Sequence, residues 1–272
     1  MARIRKIVLL VSVLSVAAAH AFGQSAVPTT SIPDFPGMWA HASIPGFEPL
    51  ASGPTSLTNR SRRNGLSNLA QLVGDYTNPV LKPEAAEIVK QHGQMSLTGF
   101  GYPTPRNQCW PGGVPFVLPT NGLQIFQQNG RITIVYAVYH QVRRVRMNDR
   151  HPVKLTPSWY GDSVGHYEGG DTLVVDTIGL NDKTFVDGYR TPHTTQLHVV
   201  ERFRVVKGGK GLDVSFTVDD PGTFYKPWGG RRPRYLVENR PLSEGDTICA
   251  AGNQDRFNLG FDPVPHADTP DF

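Results

Sequence analysis

The chain has little cysteine, one long apolar run and none of the short motifs that mark a nucleotide site or a serine nucleophile. Cys109 and Cys249 are the only cysteines among 272 residues. Their spacing matches no zinc-ligand pattern, which removes the structural zinc classes. There is no G-x-S-x-G elbow, no phosphate loop and no G-x-G-x-x-G behind a strand. The usual signatures of α/β-hydrolase, P-loop and dinucleotide chemistry are therefore missing. Strands do not alternate with helices and no segment repeats. The single apolar run, Ile7 to Ala19, has 13 residues, too few for a bilayer span of roughly 20.

That run is the core of an export signal. Arg3, Arg5 and Lys6 precede it, and Ala19-His20-Ala21 follows as a small-x-small cleavage site. Cleavage behind Gly23 is the alternative, and no cysteine near the junction offers a lipid attachment. The expectation is a signal peptide over 1–21 and a periplasmic or secreted protein without a membrane span. Three of the 27 basic residues precede Ala21 and none of the 23 acids do, so the exported part carries 24 against 23. So even a balance withdraws nucleic acid as a general partner. The basic clusters Arg143–Arg150 and Arg231–Arg234 read as solvated or ion-paired strand ends. In an oxidising compartment the two cysteines read as one disulfide.

Residues 22–106 read as an irregular segment rich in proline and glycine, with Trp39 and Phe47 as anchors onto a core. Its one helix is predicted over 82–92, KPEAAEIVKQH. Pro83 suits the first turn, Glu84 and Glu87 lie near the positive end, and Gly93 suits the stop. A narrow apolar stripe places this short helix on the surface. Residues 107–250 read as an antiparallel β domain and 251–272 as a tail. From Gly122 the hydrophobic period is two, with Asn129-Gly130 as a hairpin turn. Ile132, Ile134, Tyr136, Val138, His140 and Val142 fall on one face, expected to be buried, with Gln141 and Arg143 on the other. Further strands are predicted before and after Gly169-Gly170, over 194–206, 212–218 and 235–239. The fold class is mainly β, an antiparallel meander forming a barrel or a sandwich.

Residues 157–203 hold the chemistry. His166, Glu168, Asp176, His198 and Glu201 lie within predicted strands, where an unpaired ionisable group is costly on a buried face. His193, His198 and Glu201 invite a metal reading, but Thr194, Thr195, Val199 and Val200 are β-branched and the segment reads as strand. On a strand His198 and Glu201 point to opposite faces, so neither metal nor cofactor is expected. Glu201 shares its face with Leu197, Val199, Phe203 and Val205. Such a carboxylate is either paired with an arginine or held for proton transfer. Asp176, between Val174 and Ile178, poses the same question. His166 beside Glu168 is an acid–base pair or a solvated turn pair, and His140 is a satisfied core histidine. The candidate site residues are Glu201 or Asp176 as base, His193 or His198 as acid, Arg143 or Arg202 for an oxyanion, and His166.

The segments PSWYGDSVGHYEG(G)DTLVVDTIGLNDKTF, TPHT and LHVVERF resemble a family of exported bacterial proteins of unassigned activity. The resemblance extends to NPVLKPEAAEIVK, PTPRNQCWPGGVPF and VDDPGTFYKPW, most of the exported chain. It implies an exported protein rich in β-structure. Two departures stand out: Gly169 and Gly170 both precede Asp171 where the family has one glycine, and Ala251 stands where it often has glutamate. The order of strands is also similar to calycin-like barrels, an analogy of fold that does not fix function. The functional expectation is a cofactor-independent hydrolase, lyase or isomerase with a small-molecule substrate, aromatic or anionic, in a strand-lined polar pocket. The alternatives are a small-molecule-binding barrel without catalysis and a structural envelope protein.

Overall fold

The computed structural model describes residues 32–41, 47–51, 53–98, 104–119, 122–137 and 141–237, with short strands at 254–255 and 260–261. The expected signal peptide, His140 and Cys249 lie outside the described residues. The elements begin with β1 (Met38–Ala40), β2 (Glu48–Pro49), a small hairpin β3 (Arg62–Arg63) and β4 (Leu66–Ser67), α1 (Pro83–Leu97) and α2 (Pro105–Gln108). The long strands follow: β5 (Gly122–Gln128), β6 (Arg131–Tyr136), β7 (Gln141–Met147), β8 (Asp162–Glu168), β9 (Thr172–Ile178), β10 (His198–Val206) and β11 (Gly211–Asp219). Shorter strands β12 (Trp228–Arg231), β13 (Arg234–Val237), β14 (Gln254–Asp255) and β15 (Gly260–Phe261) complete the order.

Nine of these strands close into a barrel in the order β1-β5-β6-β7-β8-β9-β10-β11-β13, with β13 returning to β1. Closure leaves no free edge within the ring. β12 and β2 extend the sheet outside it. Every pairing in the ring is antiparallel except β7 with β8. A parallel neighbour needs a crossover rather than a hairpin. Here residues 148–161 make the return as an extended chain, and no helix forms in them. The turns follow the local chemistry: Gly130 takes a positive φ of 72° between β5 and β6, as the Asn-Gly signal requires.

Alternation decides what fills the barrel. Trp39 faces inward between Leu123 and Leu236. Ile134, Val145, Leu173, Val175, Val199, Phe203, Leu212, Val214 and Phe216 complete a packed interior, all at most 2 % exposed. The segment expected to be irregular thus supplies one barrel strand. A strand of three residues is too short to show a period in the sequence.

Two further details differ from the sequence reading. The helix does not stop at Gly93 but runs to Leu97. Gly93 is packed on Val73, whose Cγ1 would lie 2.9 Å from an added Cβ, so the glycine serves a close approach rather than a stop. The face expected to continue from Ile132 to Val142 ends at Tyr136, because β6 and β7 are separate strands with Tyr136 opposite Gln141. This pairing resets the parity, so Gln141 and Arg143 point inward while Val142 is exposed. Among the described residues there is no free cysteine.

Candidate functional site

The barrel wall separates the candidate residues into two groups. Inside, Arg143 Nη2 lies 2.5 Å from Glu201 Oε2, with the two side chains 2 % and 0 % exposed. Arg143 also donates from Nε to Ser163 Oγ at 3.1 Å and from Nη2 to Thr177 Oγ1 at 2.5 Å. The two hydroxyls are 2.9 Å apart. Burial works against the Arg143 charge, but the Glu201 carboxylate outweighs it and the guanidinium is held protonated above its ordinary range. Burial pushes the neighbouring Tyr136 phenol up to about 12, against the pull of Arg143. Arg143 Nη1, Glu201 Oε1 and the Tyr136 hydroxyl are buried without an aligned hydrogen-bond partner.

This interior pair answers the question left open for Glu201: it is paired with an arginine. The carboxylate is taken up by the guanidinium, and the packed surroundings leave it no accessible surface. Its chemistry is structural. Each of its partners sits on a different strand, so the pair ties β7, β8, β9 and β10 to one register.

Outside, another set of charges spans the wall. His198 Nε2 donates to Asp176 Oδ1 at 2.8 Å, from side chains 40 % and 36 % exposed. The same Oδ1 lies 3.2 Å from His151 Nε2, and His151 Nδ1 lies 2.7 Å from Asp162 Oδ2. Arg146 grips Asp162 through Nη1 and through Nη2 at 3.2 Å, and donates from Nε to Asp149 Oδ2 at 2.6 Å. The chain of contacts runs from β10 through β9 and β8 to β7, with His151 supplied by the crossover that climbs the outer face. Asp219 on β11 is the register partner of His198.

Local structure fixes this group. The end of the crossover is tied to the segment that leaves β9, with Ser158 N donating to Gly179 O at 2.9 Å and Asn181 N to Ser158 O at 2.8 Å. Gly161, immediately before Asp162, has φ +64°, and a Cβ there would lie 2.4 Å from Ile178 O. Only glycine lets the chain enter β8 so close to the end of β9.

The electrostatics follow from the contacts. The hydrogen bond to Asp176 raises His198 above the ordinary imidazole value, against the opposing effect of burial, and the Asp176 and Asp219 charges add to it. Burial pulls Asp176 up, but His198 and His151 outweigh it and leave the carboxylate below its usual range. Asp162 is likewise lowered against burial, by Arg146 and His151. The His198–Asp176 pair therefore holds from below the ordinary imidazole value, where His198 is charged, down to the carboxylate range, where Asp176 takes a proton. Its stabilising effect is lost as pH rises through the elevated His198 value and as pH falls through the depressed Asp176 value.

The other three candidates, His166, Arg202 and His193, stand apart. His166 Nε2 is 3.2 Å from Glu168 Oε1 on the outer face, both about half exposed, and Arg202 Nε lies 3.6 Å from Glu168 Oε2. This is a solvated charge cluster at the hairpin end of β8. His193 is buried, donates from Nδ1 to Thr194 O at 3.0 Å and meets Thr184 Oγ1 through Nε2 at 2.8 Å. Burial lowers its pKa, so the neutral ring accepts from the Thr184 hydroxyl and both nitrogens are used in packing.

Of the seven candidates, Arg143 and Glu201 meet inside and Asp176 and His198 meet outside. The opposite facing of His198 and Glu201 expected from alternation is seen in β10. Sequence reasoning missed His151 and Asp162 in the outer group and Ser163 and Thr177 in the inner one. The two hydroxyls carry a signal, because they share parity with Gly165 and Val175. His151 carries none, since it reaches the wall through an irregular segment. No group of three or more His, Cys, Asp or Glu among the described residues is arranged to hold a metal ion.

Comparison with protein-family models, with curated proteins and with solved structures gives no match.

Proposed function

We propose that the protein is an exported, cofactor-independent enzyme that moves a proton on a small molecule, as a hydrolase, lyase or isomerase. His198 is the acid–base group, at the outer wall of the barrel, and Asp176 orients it. The observation that carries this reading is the 2.8 Å contact from His198 Nε2 to Asp176 Oδ1 on a ring 40 % exposed. The contact fixes the proton on Nε2 and leaves Nδ1 without a protein partner among the described residues. A histidine oriented by a carboxylate and open to solvent is the common form of a general acid–base.

Export and a Cys109–Cys249 bridge belong to the same reading, supported by the basic-apolar start of the chain and by the pair of cysteines it contains. A barrel that encloses a ligand is less well supported. Trp39, Leu123, Ile134 and Phe203 are 0 % exposed, and the interior Arg143 and Glu201 are taken up with one another.

The test pairs a titration with a screen. The His198 ring is followed by NMR in the wild-type protein and in Asp176→Asn, where the midpoint is expected to fall. A panel of small esters, lactones and acids with a β leaving group is then screened, with His198→Gln as the blank. Turnover present in the wild type, absent in the blank and following the His198 midpoint is the expected result. Equal turnover in the blank, or a midpoint indifferent to Asp176, refutes the proposal.

A further inference from the structure

The outer group contains one residue with an unusual set of neighbours. His151 is 20 % exposed and lies between two carboxylates, Asp162 Oδ2 at 2.7 Å from Nδ1 and Asp176 Oδ1 at 3.2 Å from Nε2. Both carboxylates are held below their usual range by their partners, so at neutral pH each is ionised and only accepts. Both ring nitrogens of His151 must then donate. A neutral imidazole has one N–H, so the full set of contacts is satisfied by the imidazolium alone.

The surroundings agree with a cation in that place. Asp162 faces it from β8, Asp176 from β9, and His198 and Asp219 lie beyond on β10 and β11. Arg146 from β7 shares Asp162 with it, and Asp149 at the start of the crossover neutralises the far side of Arg146. Arg146 also donates from Nη2 to Arg150 O at 2.9 Å, which anchors the backbone next to His151. The position of the ring is thus over-determined from both ends.

Asp176 Oδ1 is the shared atom. It accepts from His198 at 2.8 Å and from His151 at 3.2 Å. Two donors on one oxygen compete for the same charge. We infer that His151 is a positioning residue of the wall site: it pins the Asp176 carboxylate and, as a cation, limits how much of that carboxylate's charge the His198 ring feels. His151 does not itself face a substrate, because both of its nitrogens are taken up. Its effect reaches His198 only through Asp176.

The inference rests on the acid–base reading of His198 but is tested apart from it. Without the His151 charge, Asp176 is wholly available to His198, and the ring holds its proton more strongly. A unit charge a few ångströms away at a partly solvated surface shifts a neighbour by a fraction of a pH unit to about one unit.

The experiment follows the His198 ring by NMR in the full exported protein, in the wild type, His151→Gln, His151→Lys and Asp176→Asn, with the backbone spectrum checking the fold of each. His151→Gln is expected to raise the His198 midpoint by about half a pH unit. His151→Lys, which restores a cation but not the ring shape, is expected to bring it back toward the wild-type value. A structural clasp alone predicts equal midpoints for Gln and Lys. A midpoint unmoved by Gln, or moved equally by both, overturns the inference while leaving the His198–Asp176 pair intact. A midpoint unmoved in Asp176→Asn overturns both.

Discussion

Glu201→Gln is the sharpest perturbation of the interior. Glu201 and Arg143 are 0 % and 2 % exposed and 2.5 Å apart. Glutamine keeps the shape and one acceptor oxygen but removes the negative charge, so Arg143 is left charged in a packed interior with the neutral hydroxyls of Ser163, Thr177 and Tyr136 beside it. Breaking a buried pair from one side costs about 3–5 kcal/mol. Urea unfolding followed by tryptophan fluorescence reads this directly, because Trp39 and Trp228 are both buried. With a slope of about 2–3 kcal/mol/M, the urea midpoint falls by about 1–2 M at constant slope. Arg143→Met combined with Glu201→Leu removes both charges and their desolvation cost. That double variant is expected to recover most of the loss. A cost below about 1 kcal/mol for Glu201→Gln, or a double variant as unstable as the single one, refutes the reasoning.

The acid range supplies two further predictions of opposite sign. His92 on α1 donates from Nδ1 to Arg190 O at 2.8 Å and burial lowers its pKa to about 4. The unfolded chain takes this proton first, so the fold loses up to about 3 kcal/mol as pH falls from 6.5 to 4. Asp187 is held by Thr191 and Tyr189 in the loop that meets this helix, and burial raises its carboxyl to about 6. The folded state binds that proton first, so its contribution is complete below about 4 and is lost as pH rises through 6, again up to about 3 kcal/mol. Urea midpoints across this window are expected to show His92→Gln gaining stability on acidification and Asp187→Asn losing it. Identical profiles for the two variants contradict the assignment.

The fold was readable wherever a strand was long enough to show its period. The Asn129-Gly130 hairpin, the Gly169-Gly170 turn and the face of β10 all follow from alternation and turn chemistry. Alternation also separates His198 from Glu201 without any structure. It fails at β6 and β7, where the apolar pattern runs unbroken from one strand to the next and assigns Arg143 to the wrong face. Only the pairing of Tyr136 with Gln141 resets the parity. His151 was beyond reach for a different reason. Its segment has no period, and its place is set by a parallel pairing that no local signal announces.

The inner and outer groups are linked by the strands that carry both. Asp162 and Ser163 are neighbours on β8, as are Asp176 and Thr177 on β9, one of each pair facing out and the other in. Sliding β9 by one residue would bring Asp176 into the barrel and take Thr177 away from Arg143. An apolar interior resists such a slip only by the fit of its side chains. A buried charge resists it by the cost of losing its partner. The Arg143–Glu201 pair therefore serves the wall site at a distance: it pins four strands to the register in which Asp162, Asp176 and His198 line up outside. The interior pair is too enclosed to act on a substrate, and the outer group is too solvated to hold strands in register by itself. Each supplies what the other lacks.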